Sequence, residues 1–164
     1  MICDYPRNFT RDELLRSRRA RREGISNTPP TELESDLCRL AHYLQSIRDA
    51  IKRETDVERP IIVSSGYRTP RLNGLVKGSP TSDHVQARAA DISVPGIRSY
   101  QLAQFIATHV GGYKQLINEY GDWVHVSIPL EEFEPKLELL TSEWIWNEGA
   151  KKFQTHWRAG LIDV

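Results

Sequence analysis

The sequence predicts an α+β protein in which N-terminal helices pack on a small, mostly antiparallel sheet. Apolar residues recur at helical spacing early in the chain, whereas short β-branched segments follow mainly in the later part. Helices that precede antiparallel strands are typical of the α+β class. The clearest helical pattern is formed by Leu33, Leu37, Leu40, Leu44, Ile47 and Ile51.

Two helices are predicted before the first strand. Thr10 followed by Glu13 forms a capping-box pattern, so the first helix begins there and continues up to Gly24. Thr31 is the predicted cap of the long helix, which extends to about Arg53. Both helices have a polar side and an apolar side, and we expect the apolar sides to face the sheet.

Strands and shorter helices are predicted over residues 60–128. Apolar, β-branched runs bounded by Gly or Pro predict the strands, and Ser99 is the predicted cap of a helix between them. The predicted strands are residues 60–64, 87–94, 113–119 and 123–128, with a short irregular helix within 66–78 and a helix over 99–110.

The chain of 164 residues fits a single domain, residues 1–164. The segments that carry recognisable motifs span about 9–128, and residues 129–164 form a C-terminal extension. This extension is rich in Glu and then in aromatic residues. We expect it to cover one edge of the sheet.

The charge of the whole molecule favours no particular partner. Lys plus Arg and Asp plus Glu number 22 each, so no nucleic-acid partner is expected. The segment Arg11 to Arg22 nevertheless holds six Arg. It is either a patch for an anionic partner or the solvated face of a helix, and Leu14 and Leu15 favour the second interpretation because they give the segment a buried side.

Hydropathy predicts a protein that is made in the cytoplasm and does not span a membrane, and the cysteines give no disulfide framework. Cys3 and Cys38 lie in unrelated segments without ligand spacing, so both are predicted to be free thiols, with Cys38 in the core. No apolar run approaches the ~20 residues that cross a bilayer, so no membrane span is expected. The N-terminus has no apolar stretch typical of a signal peptide.

Three polar residues in apolar surroundings are candidate metal ligands. Asp91 lies seven residues after His84, inside an apolar strand, and His125 lies between two valines. Burying a carboxylate or an imidazole there is costly unless a cation or a polar partner compensates. Two His and one Asp would leave the fourth position of a zinc ion free for water. The alternative is that Asp91 and His125 pair with each other or with Arg68.

These residues belong to motifs of a known family. The pattern S-x-H-x-x-G-x-A-x-D followed by W-x-H resembles the zinc D-Ala-D-Ala carboxypeptidases, a family that includes phage endolysin peptidases and is related to the hedgehog domain. A further match is S-S-G-Y-R-T at residues 64–69, and residues 9–29 resemble the N-terminal part of the phage-type branch. Ala87 stands where the family usually has Gly, a residue that tolerates a positive φ. The motif residues are Ser82, His84, Ala87, Ala89, Asp91, Trp123, Val124 and His125.

The resemblance implies a hedgehog-like peptidase fold with one Zn²⁺ held by His84, Asp91 and His125. The zinc would activate a water molecule and polarise the scissile carbonyl. Arg68 corresponds to the arginine that stabilises the oxyanion or anchors the substrate, although it could instead form a salt bridge to Asp91 or Asp83. We also assign Ser82 and Trp123 to substrate binding, with core packing as the alternative for Trp123. The resemblance, and not the spacing of the residues, is the basis of these expected roles.

Two acidic residues compete for the role of general base. Family members with an acid three residues before the last His point to Asp122, whereas the phage-type branch points to Glu119. A three-residue turn at 120–122 would place Glu119 opposite Trp123 and on the metal side of the hairpin. The sequence therefore favours Glu119, with Asp122 as a turn residue.

The resemblance predicts a zinc metallopeptidase that hydrolyses bacterial peptidoglycan stem peptides or cross-links, of the carboxypeptidase or the endolysin type. Acting on the cell wall would require delivery from the cytoplasm by a phage or secretion partner, or association with a virion. The alternative is a non-catalytic module of the same fold that binds cell wall or protein, for example a phage structural component.

Overall fold

The computed structural model describes residues 3–130 and 136–164, and its fold is α+β as predicted. Within these residues, the helices are α1 (Arg11–Leu15), α2 (Arg18–Arg22), α3 (Glu34–Thr55), α4 (Pro70–Leu75) and α5 (Ser99–His109). The strands are β1 (Ile62–Ser65), β2 (Ala89–Ser93), β3 (Gln115–Glu119), β4 (Trp123–Ser127), β5 (Glu138–Asn147) and β6 (Lys152–Ala159). None of the described helices is both long enough and apolar enough to cross a membrane.

The six strands form one sheet in the order β1-β2-β4-β3-β5-β6. Every neighbouring pair is antiparallel except β3 and β5, which run parallel. Asp91 pairs directly with His125, and His125 pairs with Ile117. Since directly paired residues lie on the same face, these three side chains share one side of the sheet. We call this side the groove face.

The opposite face of the sheet builds the hydrophobic core with α3 and α5. Side chains alternate along β2 and β4, so Ile92, Val124 and Val126 point away from the groove face and into the core. The long helix contributes its apolar stripe as predicted, and α5 adds an apolar face of its own. The core residues that α3 and α5 contribute are Leu37, Leu40, Ala41, Leu44, Ile47, Ile51, Leu102, Ala103 and Ile106.

The helix starts differ in detail from the sequence prediction. The predicted first helix is divided into α1 and α2, because Ser17 accepts a hydrogen bond from the Ala20 N–H and starts a new helix after an extended Arg16. Thr31 does not cap α3 with its side chain. It opens a 3₁₀ turn, Thr31–Leu33, that leads into the helix.

The C-terminal extension covers the β3 edge of the sheet. The sequence predicted that this extension covers one edge of the sheet but did not predict its secondary structure, which is a hairpin of two strands. Residues of β5 pair with β3 in parallel register, including Ser142 with Glu119, and β6 continues the sheet beyond β5. The Asn118 side chain also donates to the Ile162 carbonyl at 2.8 Å, which fastens the end of the chain to β3.

Cys3 and Cys38 form a disulfide, so the prediction of two free thiols was wrong. Their Cα atoms lie 6.1 Å apart, within the usual range for a disulfide. Cys38 is half-buried on α3 and faces the N-terminal segment instead of the core. The bond joins residues 35 positions apart, a spacing that matches no recognisable framework.

The turn that carries His84 ends in a Schellman motif, with Ala87 at the left-handed position. The Arg88 N–H donates to the Asp83 carbonyl at 3.0 Å and the Ala87 N–H donates to the His84 carbonyl at 3.3 Å. Ala87 has a φ of 55° and is fully buried. An L-residue with a side chain is disfavoured there by roughly 1–2 kcal/mol, which explains why Gly suits this position.

Removing the disulfide should lower the free energy of unfolding. For a loop of this length, the loss of loop entropy in the unfolded chain predicts a decrease of about 3–4 kcal/mol. Denaturant titration of the oxidised protein, the reduced protein and the C3S/C38S double variant measures it. The double variant should not respond to reductant, and equal midpoints for oxidised and reduced wild type would contradict the prediction.

Ala87→Gly should be less destabilising than Ala90→Gly. Both changes remove a fully buried methyl group and add freedom to the unfolded chain, but only the change at Ala87 also relieves a positive φ. The difference in unfolding free energy should be about 1 kcal/mol or more. Urea denaturation of both variants measures it, and a greater loss for Ala87→Gly would disprove strain at this turn.

Candidate metal centre

Three side chains from two strands and one turn converge on the groove face. His84 Nε2 lies 3.1 Å from Asp91 Oδ1 and 3.2 Å from His125 Nδ1, and His125 Nδ1 lies 2.9 Å from Asp91 Oδ1. All three residues are buried, and one ligand atom of each lies within 4.8 Å of the others. The residues expected as ligands are therefore brought together by the antiparallel register of β2 and β4 and by the turn before β2.

The tautomer of His84 follows from its surroundings. Its Nδ1 lies 2.7 Å from the Gly66 carbonyl, and because a carbonyl can only accept, Nδ1 must carry a proton. Burial lowers the pKa of the His84 imidazole against the opposing attraction of Asp91, so the ring is neutral and its Nε2 is a lone pair. This lone pair faces the oxygen of Asp91, which is itself an acceptor. Two acceptors repel each other at this distance, and a cation bound to both atoms would replace the repulsion with attraction.

The geometry of the cluster fits a tetrahedral zinc site. Zinc bonds to imidazole nitrogen and carboxylate oxygen are about 2.0–2.2 Å long, so neighbouring ligand atoms of a tetrahedron are about 3.3 Å apart. The three observed separations of 2.9–3.2 Å are close to this value. Three protein ligands leave one position for water or substrate, which is the arrangement of catalytic zinc sites.

Asp91 is held as a carboxylate by its neighbours. Burial by itself would raise its pKa, but the adjacent side chains of His84 and His125 hold the pKa of this carboxyl well below its usual range. Its second oxygen, Oδ2, accepts a hydrogen bond from Arg68 at 2.7 Å. Asp91 thus directs Oδ1 to the two histidines and Oδ2 to the guanidinium of Arg68. The contacts with His125 and with Arg68, which the sequence left as alternatives, therefore exist side by side.

Arg68 is fixed beside the cluster by several contacts. Its Nε donates to Ser65 Oγ at 2.9 Å, in addition to the bond from Nη2 to Asp91. The salt bridge to Asp91, which was the alternative to a substrate role for Arg68, is present, whereas Asp83 binds Lys114 at 2.7 Å. Arg68 also lines the groove, so its guanidinium orients Asp91 and faces the space that a substrate would occupy.

Asn27 orders the loop of Arg68, a role that sequence reasoning missed. Its Nδ2 donates to the Tyr67 carbonyl at 2.8 Å and to the Leu15 carbonyl at 2.9 Å, and its Oδ1 accepts from the Thr69 N–H at 2.9 Å. One amide thus binds the backbone on both sides of Arg68. Asn27 lies in the N-terminal segment that resembles the phage-type branch, and this position was the only sign in the sequence of a role for it.

Gly66 allows α1 to approach the candidate metal centre closely. A Cβ atom at this position would clash with the Leu14 carbonyl, which accepts a hydrogen bond from the Tyr67 N–H at 2.9 Å. The same glycine provides the carbonyl that binds His84. The close approach of α1 to the loop after β1 therefore sets the orientation of a candidate ligand.

A groove of about 1100 Å³ opens over the cluster. Ser82 and Trp123, the two residues expected to contact substrate, both line this groove. The His84 backbone N–H also donates a hydrogen bond to Ser82 Oγ, with an N–O distance of 3.4 Å. Arg16 and Arg18, from the arginine-rich segment, line another part of the same groove. The solvated-helix interpretation of this segment is therefore incomplete, because part of it borders the groove.

The two candidate bases occupy different environments. The predicted register is confirmed, with Glu119 opposite Trp123, and Glu119 lines the groove. Burial raises the pKa of the Glu119 carboxyl, and the charge of Asp91 adds to the rise. Asp122 lies exposed in the turn, with its N–H donating to the Glu119 carbonyl at 2.9 Å, and it is not among the residues that line the groove.

Comparison with known proteins agrees with the geometry. A family model described as Peptidase M15 matches residues 7–127, which include the three candidate ligands, Arg68 and Glu119. No curated protein matches the chain. The matched range is well over half of the 164 residues, and the C-terminal hairpin lies outside it. The resemblance found in the motifs is confirmed, and the chain belongs to the Peptidase M15 family, the zinc D-Ala-D-Ala carboxypeptidase-like peptidases.

Proposed function

We propose that this chain is a zinc-dependent peptidase that hydrolyses peptide bonds of bacterial peptidoglycan. The observation that carries the proposal is the convergence of two imidazoles and a carboxylate in an open groove, in a member of the Peptidase M15 family. We assign residues 1–164 to one domain, in which the C-terminal hairpin works together with the motif-bearing part.

In this proposal His84, Asp91 and His125 hold one Zn²⁺. The bound ion would supply a water molecule of lowered pKa and a Lewis acid for the scissile carbonyl. The protein holds the ligands ready, because Gly66 fixes the tautomer of His84 and Arg68 orients Asp91.

Glu119 is the proposed general base. It would accept a proton from the attacking water and then pass it to the leaving amine. Its position on the groove face and its raised pKa support this role, since a base with a pKa nearer to neutral is a better proton shuttle. Asp122 remains the alternative base.

Arg68 is proposed to stabilise the developing oxyanion or to anchor the substrate, and Ser82 and Trp123 to contact the peptide. Arg68 lies beside Asp91 with its planar guanidinium on the groove wall, which suits either role. Arg16 and Arg18 add positive charge to the same groove, which favours peptides that carry free carboxylates, as peptidoglycan stems do.

The disulfide supports a site of action outside the cytoplasm, because such bonds persist in oxidising compartments. Delivery to the wall would then depend on a phage or secretion partner. The choice between a carboxypeptidase and an endolysin that cuts cross-links can be made by digesting defined peptidoglycan and weighing the fragments by mass spectrometry. Release of single C-terminal residues indicates the former, and loss of cross-linked dimers indicates the latter.

The purified protein should contain about one zinc ion per chain, and His125→Ala should lose it. The loss follows from removing one of only three protein ligands. His42→Ala is the matched control, because His42 lies on α3 and contacts the Asp4 carbonyl away from the groove. Metal analysis by mass spectrometry measures both. Wild type without metal would refute the metal site, and zinc without turnover on peptidoglycan would favour the non-catalytic module.

Glu119→Gln should keep zinc but reduce kcat by about 10²–10⁴-fold, the usual contribution of general base catalysis. Asp122→Asn should change kcat by only a few-fold, because its side chain is exposed in the turn. Turnover of a soluble stem peptide and the metal content of both variants are measured together. The opposite ranking of the two variants would transfer the role of base to Asp122.

A further inference from the structure

The C-terminal hairpin presents a row of exposed aromatic rings, which we call the aromatic platform. It consists of Trp144, Trp146, Phe153 and Trp157, whose exposed fractions are 57%, 46%, 62% and 52%. Trp146 pairs across the strands with Phe153, and Trp157 pairs with Ser142, two residues before Trp144. Since paired residues and residues two apart share a face, all four rings project from the same side of the hairpin.

The platform lies on the groove face of the sheet. Glu119 pairs with Ser142, and Ser142 pairs with Trp157, so Trp157 is two strands and about 10 Å from Glu119. Trp157 itself lines the groove together with His84 and His125. The platform thus continues the surface of the candidate active site away from the metal centre. It extends from Trp157 to Phe153 over about 14 Å.

The platform carries no charge, in contrast to the other side of the same hairpin. The structure describes every residue from Ser142 to Trp146 and from Phe153 to Trp157. Over these two ranges, the platform side holds only aromatic, Ser and Thr side chains. Charged side chains project from the opposite side of the hairpin, among them Glu143 and Arg158, which pair at 2.6 Å. An uncharged ligand is therefore favoured over nucleic acid or another polyanion, which would require cations at the surface.

The size of the platform argues against a second copy of the chain. Four rings exposed by about half present on the order of 400 Å². A stable protein interface buries about 800 Å² per partner. A patch of this size is typical of the largest apolar patch on a monomeric protein, and such patches often have a function. A narrow linear ligand fits the area better than a protein does.

We propose that the aromatic platform binds the uncharged, N-acetylated glycan strand to which peptidoglycan stem peptides are attached. This inference rests on the proposed peptidase function, because the glycan is the polymer that accompanies such a peptide into the groove. The C–H faces of pyranose rings and the methyl groups of N-acetyl substituents pack on the electron-rich faces of aromatic rings.

Polar groups beside the rings complete a sugar-binding surface. Tyr120 stacks on Trp144 with ring centroids 4.5 Å apart, and its hydroxyl lies 2.9 Å from Thr155 Oγ1. The Trp146 indole N–H donates to Glu148 Oε1 at 2.8 Å, and the Trp146 ring packs edge-to-face with Phe153 at a centroid distance of 5.2 Å. Hydroxyl groups between flat apolar faces match the alternating polar and apolar surface of a polysaccharide. The glycan would follow the hairpin while the stem peptide enters the groove.

The test uses the zinc-loaded full chain and a soluble chitin oligosaccharide, a neutral N-acetylated glycan without peptide. Isothermal titration calorimetry measures its affinity for wild type, for the W146A/F153A double variant and for the I145A/Q154A control. Ile145 and Gln154 form the adjacent cross-strand pair and project from the opposite side. We expect W146A/F153A to weaken binding about tenfold or more and the control to bind like wild type. Circular dichroism establishes that the hairpin is retained.

Activity assays separate this inference from the proposed function. W146A/F153A should hydrolyse a soluble stem peptide at the wild-type rate, because neither ring lines the groove, but its KM on intact peptidoglycan should rise. Wild type that fails to bind the oligosaccharide while it cleaves stem peptides would overturn the glycan inference alone. Equal binding by the two double variants would also overturn it. A dimer in solution that W146A/F153A converts to a monomer would show that the platform is a protein interface instead.

Discussion

The buried carboxylate of Asp91 is the constraint on which the groove face depends. It lies in the central part of the sheet, where an uncompensated negative charge would be very costly. Arg68 in the loop after β1 and His125 on the paired strand contact this carboxylate, and His84 in the preceding turn completes the cluster. The sheet register, the turn and the loop must therefore all be correct for the carboxylate to be stable, and their arrangement is also the one that a zinc ion requires.

The N-terminal helices support the candidate metal centre indirectly, through the loop that carries Gly66 and Arg68. The Leu14 carbonyl at the end of α1 receives the Tyr67 N–H, and the lack of a side chain at Gly66 permits this approach. Asn27 then binds the backbone on both sides of Arg68. A mutation in α1 or in the loop after α2 can therefore affect the metal centre without touching a ligand, because it moves the carbonyl that orients His84.

The sequence predicted the elements with strong periodicity and the residues in recognisable motifs, and it failed where distant contacts or a competing local cap decide the structure. The stripe from Leu37 to Ile51 and the turn before Trp123 are local patterns, so α3 and the β3–β4 register could be read directly. The disulfide could not be predicted, because it depends on how the N-terminal segment crosses α3. The division between α1 and α2 was missed because the Ser17 cap competes with a continuous helical pattern. The parallel pairing of β5 with β3 required a topology that no local pattern encodes.

The parallel pairing of β5 also decides which strand forms the outer border of the sheet. Without the hairpin, β3 would expose its backbone amides and carbonyls to other chains; with it, β6 takes that place. An exposed border strand invites intermolecular β-pairing, and positive charges on it oppose this. Lys152 lies at the start of β6 and its charge opposes such pairing, whereas Arg158 near the other end is paired with Glu143 of β5. The hairpin that carries the aromatic rings is thereby protected from polymerising through its own free strand.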